Sequence, residues 1–197
     1  TRHRLAVIAK ADGNAKRDFE LQREIFQADQ RGGSARTERT RYLGAMAALA
    51  LAQPAVDDYK KVALVEPLQR SLKTKKAKLE DALKGYAVAA DYGVADASTA
   101  ATFHTAALYQ DFGQAMLKSQ RPKGLKKLEL EQYNVLLEEQ AFPFEEKAIT
   151  LHEINAKRSA QGVYDEWVSK SFAALRTLKP GRYARAERVE GVIDAIR

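Results

Sequence analysis

The chain has 197 residues, of which 45% are hydrophobic and 30% charged, and it carries a formal net charge of +7. This is an ordinary composition for a globular protein able to bury a core of its own, and the absence of cysteine excludes disulfides and thiolate metal sites. The longest apolar run, Ala45 to Ala52, falls far short of the roughly 18 to 20 residues that a membrane span needs.

The chain opens at Thr1 and reads as a fragment or a processed form of something longer. A short apolar run ends at the turn signal Asp12-Gly13, and a helix is expected from Asn14 to Arg31, with Asn14 as its cap and Phe19, Leu21, Ile25 and Phe26 inward. Gly32-Gly33 closes it, and Ser34 is placed to cap the next helix, whose second half, Tyr42 to Leu51, is rich in the alanines of an enclosed element. Pro54 is expected to interrupt that helix, leaving a short one from Ala55 to Val65. After Pro67 a long helix runs to Tyr92 with Leu72, Leu79, Leu83, Tyr86 and Ala90 on one side, and Gly93 stops it. Asp96 or Ser98 starts another, carrying Phe103, Ala106, Tyr109, Phe112 and Met116.

From Leu125 to Leu178 the spacing predicts three consecutive helices, broken at Pro143 and at Gly162. Their stripes are Leu125, Leu128, Tyr133, Leu136 and Leu137; then Phe144, Ala148, Leu151, His152 and Asn155; then Tyr164, Trp167, Val168, Ser171, Phe172 and Leu175. Residues 184–197 are expected to form a terminal helix or capping tail. With no alternating pattern of useful length, the reading is one all-α domain over 1–197, built of about eight helices. Antiparallel hairpins of this size either stack as a solenoid or close into a compact helical bundle.

Ala82, Tyr86 and Ala89 have the small-aromatic-small spacing of the second helix in a tetratricopeptide repeat, and Phe172 precedes Pro180 by eight, as that repeat's aromatic precedes its proline. Val168 and Leu175, which flank Phe172, are larger than the pattern prefers. The segments YGVADASTAATFHTAALYQDFGQAMLKSQRPKGL and LEEQAFPFEEKAITLHEINAKRSAQGVYDEWVSKSFAAL resemble the C-terminal part of large tetratricopeptide-repeat proteins of proteobacterial cell envelopes. Some proteins of that kind accompany energised complexes of the TonB, ExbB and ExbD type, or gliding-motility machinery. The resemblance implies hairpins stacked as a right-handed superhelix. It also implies a non-catalytic scaffold, in the periplasm or envelope, that organises protein partners, and it brings no functional residues with it.

The residues themselves point away from catalysis. His104 and His152 lack the glutamate three positions earlier that a helical di-iron site uses, and His152-Glu153 lacks the second histidine of a zinc-protease helix, since position 156 is Ala156. A lone histidine beside Leu151 reads as a packed, hydrogen-bonded core residue. The pairs Glu138-Glu139 and Glu145-Glu146 read as wet helix face, and there is no phosphate-binding loop or nucleophile elbow. No catalytic, cofactor-binding or metal-binding residue is assigned, and no small-molecule substrate is expected.

The candidates for partner contact are the rings Tyr109, Tyr133, Tyr164 and Trp167, each of which also fits a buried stripe, and the lysines Lys73, Lys75, Lys76 and Lys78. Those lysines belong to a basic region from Lys60 to Lys84 with eight basic and three acidic residues. Its ordinary reading is a solvated helix face; its alternative is nucleic-acid binding, which the lack of interleaved aromatics disfavours.

Overall fold

The computed structural model describes residues 2–185, and among them the elements are helical throughout. In order they are α1 (Arg2–Ala11), α2 (Ala15–Gln30), a 3-10 turn (Gly33–Ala35), α3 (Glu38–Lys61), α4 (Leu68–Ala90), α5 (Ala95–Leu117), α6 (Lys127–Ser159), α7 (Glu166–Leu178) and the single turn α8 (Pro180–Tyr183). The terminal helix expected over 184–197 lies, from residue 186 onward, outside the described residues. No described helix is long and apolar enough to cross a membrane.

Each helix packs against its neighbour in the chain, so the molecule is a run of helical hairpins. The longer-range pairings are selective: α3 touches α5, and α5 touches α7, whereas α2, α4 and α6 make at most marginal contact with one another. Ala6 and Ala9 of α1 share a small core with Leu21, Ile25 and Ala47, which ties α1 to α3 as well. Odd-numbered helices therefore form one layer and even-numbered helices the other, and the main core lies between them, from Ala45 on α3 through Tyr86 on α4 to Phe112 on α5 and Ala141 on α6.

Small residues set how closely the layers approach. Ala45, Ala48 and Ala52 on α3 face Ala82, Gly85 and Ala89 on α4, and a Cβ added at Gly85 would sit 2.8 Å from the Cβ of Ala52. The spacing of Ala82, Tyr86 and Ala89 that stood out in the sequence thus falls on the buried face of α4, with one ring filling the gap between two close approaches. The α6–α7 turn needs a left-handed residue, supplied by Gly162 at φ 81°.

Four boundaries differ from those read in the sequence, one of them the start of α5, which begins at Ala95 after Val94 and is capped by neither Asp96 nor Ser98. Pro54 and Pro143 do not break their helices: α3 and α6 run through them without interruption. Both prolines sit on exposed faces, and burial on either side outweighs the roughly 3 kcal/mol that an interior proline costs. The cap of α3 is Thr37 rather than Ser34, because Thr37 and Thr40 exchange side chain to backbone bonds of 3.2 and 2.9 Å while Ser34 is taken up in the 3-10 turn. Asn14 does cap α2, accepting from the amide of Arg17 at 3.1 Å.

The other difference is one of length. Gly113 lies over Ala141 and Phe144, and Asn155 bonds the carbonyl of Thr99, so the antiparallel register of α5 on α6 runs out near Leu117. At about 1.5 Å per residue, α6 is about 15 Å longer than α5, and its first turns project past the end of its partner. Leu128 and Leu136, expected inward, are exposed for that reason, while Leu137 is buried.

Candidate functional site

The seam joining α5, α6 and α7 holds the polar and aromatic chemistry that the sequence distributes among three stripes. Asn155 is its hub: its Nδ2 donates to the carbonyl of Thr99 and to Ser171 Oγ, both at 3.0 Å, and its Oδ1 accepts from Arg158. Arg158 also donates to Thr102 Oγ1 at 3.0 Å and to the carbonyl of Ser98 at 3.3 Å. Asp165 caps α7 by accepting the amides of Trp167 and Val168 at 2.9 Å, and its other oxygen accepts from the Thr99 hydroxyl. Asn155, Thr99 and Ser171 are fully buried, so the network locks three helices together where an unsatisfied group would be costly.

His152 completes this seam. Its ring is only 1% exposed, and Nδ1 lies 3.3 Å from Ser171 Oγ. Ser171 Oγ, which accepts from Asn155, thus also shares a hydrogen bond with His152 Nδ1. Nε2 has no hydrogen-bond partner among the described residues, and the ring of Phe103 lies 5.5 Å from the imidazole. Burial disfavours the charged ring and pushes its pKa down to about 4. Beside it, the rings of Tyr86, His104, Phe103 and Trp167 form a chain with centroid separations of 4.7–5.6 Å, Tyr86 and His104 being stacked. The seam thus sets a neutral histidine against aromatic rings and beside a serine that also bonds to asparagine. Among the described residues, no group of three or more His, Cys, Asp or Glu is placed to hold a metal ion.

The four aromatic candidates do not share a surface. Trp167 is half-buried against His104 and Phe103, with Lys170 Nζ 4.0 Å above its ring. Tyr109 is half-buried on α5, and Lys147 lies 5.3 Å from its ring. Tyr133, on the projecting part of α6, is half-buried under the guanidinium of Arg121 at 5.9 Å. Tyr164, in the α6–α7 turn, is 67% exposed.

The lysine cluster separates into unlike members. Lys73 and Lys76 are exposed, and Lys78 pairs with Asp58 at 3.7 Å. Lys75 is 4% exposed and leaves the set of partner contacts. Its Nζ donates to the carbonyls of Val62 at 2.9 Å and Tyr59 at 3.4 Å, and sits 4.0 Å from the centre of the Tyr59 ring. It therefore closes the C-terminal end of α3, where a cation complements the helix dipole, and burial lowers its pKa. A one-dimensional reading places all four lysines on a wet face; only the α3–α4 hairpin brings Lys75 under the last turn of α3.

Two features escape that reading altogether. On α6, Leu128, Val135 and Phe142 are spaced by seven and are 66%, 54% and 60% exposed, with Leu136 beside them. At the other end of the molecule, arginines from α1 and from the α2–α3 turn meet around one groove. The heptad spacing on α6 was a usable signal, whereas arginines more than thirty residues apart were not. No family model, curated protein or solved structure matches this chain.

Proposed function

We propose that this protein is a non-catalytic scaffold whose stacked hairpins hold protein partners, with the outer face of α6 as its principal contact. The observation that carries this reading is the row Leu128, Val135 and Phe142: three large apolar side chains, each more than half exposed, on the face of a rod that outruns its own partner helix. Leaving that area in water forgoes burial that another polypeptide supplies, and side chains seven apart on one helix suit the groove or stripe of a partner helix. Tyr164 adds an exposed ring near the far end of the same helix. A place in a bacterial envelope complex, of the energised or motility type, accords with the resemblance of the segments from Tyr92 and from Leu137 to envelope tetratricopeptide proteins.

A photoreactive amino acid at Val135 in native cells, with one at Glu80 on the exposed side of α4 as control, tests the reading. A discrete adduct with another protein is expected from Val135 and none from Glu80. Absence of any adduct from Val135, or the same diffuse pattern from both positions, contradicts it.

A further inference from the structure

We propose that the groove between the start of α1 and the α2–α3 turn docks an acidic, extended peptide segment of a protein partner, a reading that rests on the scaffold function above. The groove has a volume of about 380 Å³. Arg2, Arg4, Arg36 and Arg39 line it together with His3, and its apolar floor includes the buried Ile25 and the half-buried Leu43.

The charge there is only partly neutralised from within. Asp29 is the one carboxylate among the groove's walls; it is buried and engaged at both oxygens by Arg36, through Nε at 3.1 Å and Nη2 at 2.7 Å. That fork holds the Arg36 guanidinium in a fixed plane while leaving it a third exposed. Arg2 shares Glu24 at 3.1 Å on an open surface, where such a pair is weak. Arg4 and Arg39 form no ion pair among the described residues. The first turn of α3 opens into the same groove at Arg39 and Thr40, so the positive end of that helix adds to the field.

The shape selects among anions. A free phosphate would leave the apolar floor uncovered, whereas a glutamate- or aspartate-rich segment with one apolar side chain covers it and offers carboxylates to planar guanidiniums in pairs. Nucleic acid is a poorer fit: no aromatic ring lines the groove, and Lys60 and the Lys73–Lys78 cluster lie at the opposite end of α3, about 30 Å away, so the two basic zones make no continuous backbone track.

Fluorescence anisotropy with the full chain tests the proposal, using a short labelled peptide of glutamates around a central leucine pair. The peptide is expected to bind, and its glutamine counterpart to bind at least about tenfold more weakly. Arg4→Glu combined with Arg39→Glu is expected to weaken binding at least about tenfold, and Lys73→Glu combined with Lys76→Glu less than about twofold. All four positions are exposed, so both variants are expected to keep the helical circular dichroism of the parent. Arg4→Gln with Arg39→Gln, which removes charge without reversing it, gives an intermediate loss. The proposal is overturned if the acidic peptide does not bind, if the neutral one binds equally well, if both charge-reversed variants lose affinity alike, or if a single-stranded oligonucleotide of equal charge binds more tightly. Failure here together with a partner adduct at Val135 removes the groove and leaves the scaffold standing; failure of both removes the scaffold.

Discussion

Tyr59→Ala is expected to lower the stability of the fold by about 4 kcal/mol, within the range of large aromatic truncations in closed cores. Tyr59 is completely buried near the C-terminal end of α3, and it serves three neighbours at once. Its ring fills the main core, its face carries the ammonium of Lys75 at 4.0 Å, and its hydroxyl donates to Asp111 Oδ2 on α5 at 2.6 Å. Truncation leaves a cavity in the layer between α3 and α5 and removes the ring that shelters a buried cation. Tyr59→Phe keeps the volume and gives up only the bond to Asp111, which is itself exposed and can turn to water, so a loss of about 1 kcal/mol is expected. Denaturant titration of the two variants separates the contributions. A loss below about 1 kcal/mol for Tyr59→Ala would mean that the end of α3 is not enclosed as described.

His152 makes the fold sensitive to acid. Its pKa is pushed down to about 4 from the ordinary 6.5, so between those values the unfolded chain takes up a proton that the folded chain refuses. Stability is therefore at its full value well above pH 6.5, declines as pH falls, and has lost about 3 kcal/mol from this group at pH 4. The physical cause is burial against Phe103, with no acid among its hydrogen-bond partners to balance an imidazolium charge. In His152→Leu that part of the acid sensitivity disappears, while Ser171 keeps its bond from Asn155. Urea midpoints at pH 7 and pH 4 for parent and variant give the comparison, in which the carboxylates common to both cancel. Equal acid losses in the two proteins would place His152 in contact with water or with a compensating charge.

How far these groups were visible in the sequence depends on whether their role is local or requires the hairpins. The stops at Gly93 and Gly162, the cap at Asn14 and the crowded alanines of α3 follow from backbone conformation and close approach, which a few neighbouring residues determine. The inward stripe of α7 was legible through Val168, Ser171 and Leu175, because 3.6-residue periodicity belongs to one helix alone. Pro54 and Pro143 were misread because the rule for proline is local, whereas the continuity of α3 and α6 is decided by what packs on their two halves. Leu128 and Leu136 were misplaced because a stripe shows which face is apolar and not whether a partner reaches that far. Asn155 and His152 were placed on the correct stripe, but their connections run to residues 16 to 56 positions away. The same holds for Lys75, and for the groove that gathers Arg2 and Arg4 with Arg36 and Arg39.

Only with the hairpins stacked in an open array do the far faces of α1 and α6 stay available. Because the chain has no cysteine, Val7→Cys on α1 and Arg176→Cys on α7 can carry spin labels without background, both positions being exposed. Steps of about 8–10 Å between neighbouring axes across α1, α3, α5 and α7 place the labels about 25–30 Å apart. Dipolar spectroscopy is expected to give a single distribution centred there; a distance of about 10–15 Å would mean that the first and last helices meet in a closed bundle, and would contradict the account.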